Sequence, residues 1–257
     1  MGKVIVVANQ KGGVGKTTTA VNLSSALAQL GKKILLVDID PQANATSGLG
    51  FDKNEERNGV YDLLIGEAAI EECIIPKARK NLSLLPSSVD LAAAEIELSQ
   101  IPEKEMILKK NLGPISSKYD FILIDCPPSL NVLTLNAMCA ANSILIPIQC
   151  EYYALEGLSQ LLYTTKLVTE RMNPQLEVEG VLFTMFDGRT NLSQEVVDNV
   201  RNNLKLRIYR TVIPRNVRLA EAPSYGMPIT EYDPRSTGAQ SYVKLANEVI
   251  KANRKHR

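Results

Sequence analysis

The stretch that most constrains this chain is Asn9-Gln10-Lys11-Gly12-Gly13-Val14-Gly15-Lys16-Thr17-Thr18, close to its start. The apolar run Val4-Ile5-Val6-Val7-Ala8 before it reads as a buried strand, and Thr19 to Ala28 after it reads as a helix. Strand, glycine-rich turn, helix is the setting of a phosphate-binding loop, because a helix start presents unpaired N–H groups to an anion. Three glycines let the backbone turn tightly and aim those N–H groups inward. In that reading the nucleotide is held by Gly12, Gly13, Val14, Gly15, Lys16, Thr17 and Thr18. Lys16 reaches the β- and γ-phosphates, and the Thr17 hydroxyl ligates Mg²⁺.

The rest of the chain alternates in the same way. Lys33 to Asp38, Leu82 to Leu85, Tyr119 to Asp125, Ser143 to Ile148 and Glu179 to Thr184 read as strands, and Arg207 to Ile213 as a short one stopped by Pro214. Helical patterns separate them, the longest over Ala154 to Met172, with Leu155, Leu158, Leu161, Leu162, Thr165, Val168 and Met172 at helical spacing. Ala43 to Asn58, rich in Asn, Gly and charge, reads as a loop. The alternation predicts an α/β fold of the doubly wound class, a mostly parallel sheet flanked by helices on both faces. With 257 residues and no low-complexity linker, a single domain over residues 1–257 is expected.

Charge and cysteine content limit the function classes. A net charge of +1 gives no global field toward nucleic acid, so DNA binding must rest on a local patch. Cys73, Cys126, Cys139 and Cys150 form no C-x-x-C pair and His256 is the one histidine, which argues against zinc. There is no secretory or membrane-length apolar run, so a cytoplasmic protein with reduced thiols is expected.

Two acidic sites complete the phosphate loop. The run Phe121-Ile122-Leu123-Ile124 ends in Asp125, the form of a strand-end carboxylate that holds Mg²⁺. In Asp38-Ile39-Asp40, alternate residues point the same way, so both acids can face the phosphates. Asp40 before Pro41 is equally a common turn starter, and the residues by themselves leave both roles open.

Lys11 makes the loop specific. The form K-G-G-x-G-K-[ST] resembles the deviant Walker A loop of the ParA/MinD family of P-loop ATPases. Val37 to Gln42, Asp125-Cys126-Pro127-Pro128-Ser129, Gln149 to Gly157 and Val212 to Arg218 resemble blocks of its chromosomal, Soj-type ParA branch. The resemblance implies an ATP- and Mg²⁺-dependent hydrolase that segregates chromosomes. It implies an ATP-bound homodimer in which Lys11 crosses to the partner's nucleotide and contributes to catalysis with Lys16. Gly12 is then glycine because facing loops approach closely. Asp40 orients the attacking water, Asp38 supports the Mg²⁺ shell beside Thr17 and Asp125, and Pro214 and Asn216 hold adenine. Arg189 and Arg218 bind double-stranded DNA without sequence preference, a ParB-type centromere-binding protein is the partner, and the cell location is the nucleoid.

Three rivals share the loop. A MinD-like membrane ATPase ends in an amphipathic membrane helix, whereas the tail Lys251 to Arg257 is basic without an apolar face, so no stable membrane anchor is expected. A ParA-like positioner of plasmids or protein cargo differs only in its adaptor. A nitrogenase-type iron protein needs cysteines from two subunits around a cluster, for which Cys126 and Cys150 are the candidates, though both read better as small buried residues.

Overall fold

The computed structural model describes residues 2–151 and 154–254. Among them, seven strands form one sheet: β1 (Lys3–Val7), β2 (Ile34–Asp38), β3 (Ile75–Arg79), β4 (Leu82–Leu85), β5 (Phe121–Asp125), β6 (Ser143–Gln149) and β7 (Glu177–Thr184). Their order is β3-β4-β2-β5-β1-β6-β7, and every pairing is parallel except β3 with β4. The central strands are apolar throughout because both of their faces are covered. Val4, Val6, Leu35, Val37, Ile122 and Ile124 join one core. Ile5, Val7, Ile34, Leu36 and Leu123 join the other. Helices Lys16–Gln29 and Thr237–Asn253 pack together over the second core, through Leu23, Leu27, Leu245 and Val249. Helices Ile107–Ile115, Val132–Ala140, Ala154–Arg171 and Asn191–Asn203 cover the first. Leu158, Leu161, Thr165 and Val168 of the long helix are buried, as its spacing predicts.

The structure departs from the sequence reading in three places. Residues 43–58 are not all loop: Asn44–Gly48 is a short helix. Its composition hides it, because it is fixed from outside. The Asp38 carboxylate accepts from both the N–H and the hydroxyl of Thr46, at 2.8 Å each. Residues 207–213 run beside β7 but make only isolated parallel bridges at Val181–Ile208 and Phe186–Pro214. The N–H groups of Arg210 and Thr211 donate instead to the Glu248 carboxylate, at 3.0 and 2.9 Å, which interrupts the ladder. The edge strand β3 escapes pattern reading because Ile75-Pro76-Lys77-Ala78-Arg79 does not alternate. Proline lacks the ladder donor and is tolerated at such an edge.

Candidate functional site

β1 lies between β5 and β6, so the turn that follows it opens at the carboxyl ends of the parallel strands, where open α/β sheets bind ligands. Gly13 at φ 73° and Gly15 at φ 84° occupy the left-handed region that glycine enters without penalty. Gly15 is also the N-cap of helix Lys16–Gln29, whose first N–H groups face the turn. A Cβ at Gly12 or Gly13 would touch nothing within 4 Å, so the space beside these glycines is open.

Two residues that motif reading missed fix this loop. The buried Asn9 amide donates to the Pro147 carbonyl at 2.8 Å, and its oxygen accepts from the Lys11 N–H at 3.0 Å. Thr184, at the end of β7, donates its hydroxyl to the Val14 carbonyl at 2.8 Å. Their only sequence signal is a polar residue where an apolar strand runs out. Asn9→Ala strands a buried carbonyl and loosens the loop's entry. It is expected to cost roughly 1–3 kcal/mol, read from urea unfolding.

The two lysines are used differently. Lys16 is buried, and its ammonium donates to the Lys11 carbonyl at 2.9 Å. Burial lowers its pKa, while the nearby Asp125, Cys126 and Asp40 pull the other way. Lys11 lies out at the surface, where its ammonium pairs with Glu151 at 2.5 Å.

Strand register places the acids. Asp38 and Asp125 are partners across the β2–β5 ladder, and Val7 pairs with Asp125 across β1–β5. Both acids are fully buried. Burial, and then the Asp38 carboxylate, hold Asp125 well above the ordinary carboxylate range, and Thr17 and Lys16 oppose this. Asp38 is pushed up to about 6, mainly by burial, against its hydrogen bonds from Thr46 and Asp40. Asp38 is occupied by these bonds, which fix the following turn. Asp125 is not: neither oxygen has a hydrogen-bond partner among the described residues. The Thr17 hydroxyl is near enough to ease its charge but makes no bond of normal geometry with it. Asp40 satisfies the turn reading, since its Oδ1 accepts from the Gln42 N–H at 2.9 Å and its carbonyl accepts from the Ser87 hydroxyl at 2.8 Å. It also lies close enough to Lys16 to act on its charge, so the turn role leaves a role in the site open to it.

This arrangement fits Mg²⁺ with a nucleotide polyphosphate. An orphaned buried carboxylate, a neighbouring hydroxyl and an open glycine cradle supply oxygen ligands and room. Among the described residues no three His, Cys, Asp or Glu side chains gather into a self-contained metal cage. That suits an ion taking one or two protein ligands and completing its shell from phosphates and water. Cys126 and Cys150 are buried, and burial raises both thiols, Cys150 to about 11, so neither is a ready thiolate.

The remaining predicted residues lie beyond β7, Arg189 and Pro214 on loops, Asn216 and Arg218 at the start of helix Val217–Glu221. Asn216 caps helix Val217–Glu221 by accepting from the Arg218 N–H at 2.8 Å, and its amide donates to Thr237 at 2.7 Å. Pro214 bridges Phe186, and the Arg215 N–H donates to the Phe186 carbonyl at 3.0 Å, so this segment is tied to the loop carrying Arg189. Arg189 makes a bidentate pair with Asp187, and Arg218 pairs with Glu221 at 2.8 Å and Asp233 at 3.6 Å. Tyr152, Tyr153 and the tail residues Lys255, His256 and Arg257 lie outside the described residues. No described helix is long and apolar enough to cross a membrane.

Comparison with known proteins agrees with this geometry. A family model described as an AAA domain matches residues 2–178. The sporulation initiation inhibitor protein Soj of Bacillus subtilis is 55% identical over 249 residues, covering 97% of this chain and 98% of that protein. The chromosome partitioning protein ParA of Myxococcus xanthus is 49% identical, covering 98% and 89%. A crystal structure of cobyrinic acid a,c-diamide synthase from Mycobacterium smegmatis, with bound ATP analog and magnesium, superposes with a TM-score of 0.88 at 35% identity, covering 100% and 98%. With a phosphate loop, a strand-end acid and near-full-length likeness all in agreement, the chain belongs to the Soj/ParA family of chromosome-partitioning ATPases.

Proposed function

We propose that this ATPase is a nucleotide-switched dimer that holds DNA while ATP is bound and releases it afterwards. The observation that carries this reading is the division of labour between its lysines. The Lys16 ammonium is folded into its own loop, whereas the Lys11 ammonium lies outside and, among the described residues, has one partner, a half-exposed pair with Glu151. Such a pair is worth about 0–1 kcal/mol and is readily exchanged for a phosphate on a facing subunit. Gly12 supports the same reading. It has no left-handed φ, and nothing in its own chain would meet a Cβ there, so whatever requires glycine comes from outside the chain.

In hydrolysis the N–H groups of Gly13 to Thr18 cradle the phosphates, and Lys16 exchanges the Lys11 carbonyl for a phosphate oxygen. Asp40 orients a water in line with the γ-phosphate. Thr17 and Asp125 would hold Mg²⁺, which when bound offsets the phosphate charge. Asp38 fixes the turn that carries Asp40. Pro214 offers an apolar face to adenine, and Asn216 holds that segment through its cap. Arg189 and Arg218 exchange surface carboxylates for DNA phosphates. Few contacts per subunit bind weakly, and pairing two subunits multiplies them, so ATP gates DNA binding through avidity. A centromere-binding protein of ParB type then supplies the cargo, and the nucleoid is the site of action.

The test is retention on duplex DNA with ATP, ADP or no nucleotide across a salt series, for the natural protein and Lys11→Ala. Expected is salt-sensitive retention with ATP alone, and a variant that still binds nucleotide but neither dimerises nor is retained. Equal retention with ADP, or ATP-dependent binding to liposomes in place of DNA, overturns the proposal.

A further inference from the structure

At the end of the sheet opposite the phosphate loop, a hollow of about 370 Å³ is lined by four lysines, Lys33, Lys77, Lys80 and Lys118, with Asn81 and Ser83 between them. No acidic residue lines it. Two carboxylates reach its lining residues from outside: Glu71 pairs with Lys118 at 3.4 Å, and Asp120 accepts from the Lys33 N–H at 2.9 Å. Lys33, Lys77 and Lys80 have no ion pair among the described residues. In a chain of net charge +1, this is a strong local concentration of one sign.

Lysines on an edge strand often guard it against pairing with another chain, and that accounts for one at β3. It does not account for Lys33 and Lys118, which precede the interior strands β2 and β5. The four therefore converge from three separate segments. The backbone bends to bring them there. Lys77 has φ 55° and Asn81 φ 62°, and the β3–β4 register shifts between Ile75 and Arg79. A lysine in the left-handed region is uncommon, and bulges at sheet edges re-aim side chains. Strain of this kind persists where the surroundings enforce it and collects at binding sites.

We infer that this hollow is an anion site, separate from the nucleotide loop, that takes a ligand carrying several adjacent phosphate groups. Four lysines around a concave floor, three of them without an ion pair among the described residues, match a compact polyanion, and lysine binds phosphate as a point charge without demanding one geometry. The phosphates come either from a small polyphosphate compound or from a nucleic-acid backbone.

The probe is inorganic tripolyphosphate, titrated into the full chain in magnesium-free buffer and followed by amide NMR shifts, which separate this hollow from residues 11–18. Expected are saturating, salt-sensitive shifts at residues 77–83 and at Lys33. In the doubly substituted Lys77→Gln/Lys80→Gln protein their midpoint should weaken by about tenfold or more, with the shifts at residues 11–18 unchanged. An unaltered thermal midpoint shows that the variant is folded, and Lys33→Gln gives a second, independent reading if it is not. A short duplex that displaces tripolyphosphate from the hollow assigns the phosphates to a nucleic-acid backbone, and one that does not assigns them to a small compound. No shift in the hollow, or an equal midpoint in every lysine variant, overturns the inference.

Discussion

Replacing Lys16 with glutamine is expected to lower the ATP turnover number by about a hundredfold or more. The side chain is buried beside Asp125 and Asp40, so its charge acts where water cannot screen it. Glutamine is one bond shorter but keeps an N–H donor, so it removes the charge with a smaller change of shape than alanine would make. Steady-state hydrolysis and nucleotide affinity, measured together, separate these effects. Affinity should fall as well, because ground-state phosphates also lean on Lys16, but turnover should fall further, because charge grows on the transferred group. A variant with normal turnover would remove Lys16 from the chemistry.

Asp125→Asn should have two effects of opposite sign. The natural protein buries two carboxylates across one ladder position, with Asp125 lacking any hydrogen bond among the described residues. Both are raised in the fold above their unfolded values, so the fold binds more protons than the unfolded chain between about pH 4 and pH 6. The stability linked to this protonation is fully present below the unfolded pKa and is lost as pH rises through the folded one. The nucleotide-free protein should therefore melt at a lower temperature at pH 7.5 than at pH 5. Asparagine removes one of the two charges. It should flatten that slope and raise the melting temperature of the nucleotide-free fold near neutrality. The same change should abolish the further thermal stabilisation that Mg²⁺ adds on top of ATP. Thermal melts at both pH values, with and without ATP and Mg²⁺, check both halves. A natural protein whose melting temperature does not fall between pH 5 and pH 7.5 would refute the charge-burial account.

Much of this was legible in the sequence because it is written locally. Gly12 to Thr18 sit between a strand and a helix, and four apolar residues lead into Asp125, so motif and context coincide within a few residues. The links that the sequence hid join residues beyond the reach of a local motif. Asp38 organises helix Asn44–Gly48 through Thr46, and no local pattern shows that a strand-end acid reaches eight residues ahead. Asn9 and Thr184 anchor the loop to β6 and β7 across 138 and 170 positions of chain. Glu151 lay inside a block already singled out, yet its pairing with Lys11 spans 140 positions. Strand β3 was lost for the opposite reason. Pro76 is a local signal against a strand, and only the edge position excuses it.

The two borders of the sheet have a bearing on how copies of the chain can meet. On one side β3 offers a proline, a bulge and two basic residues, Lys77 and Arg79. On the other, Val181 and Phe183 of β7 have already spent main-chain groups on Arg207, Tyr209 and Ile213. Neither border is a free template for another strand. Lengthening one sheet into a continuous ribbon is therefore disfavoured as a way for two molecules to associate. Pairing made end-on, at the end that carries the glycine turn, would bring reactive groups to the seam. In the dimer proposed above, an assembly joined there would come apart when its filling changes, whereas a ribbon would hold regardless of what its members had bound.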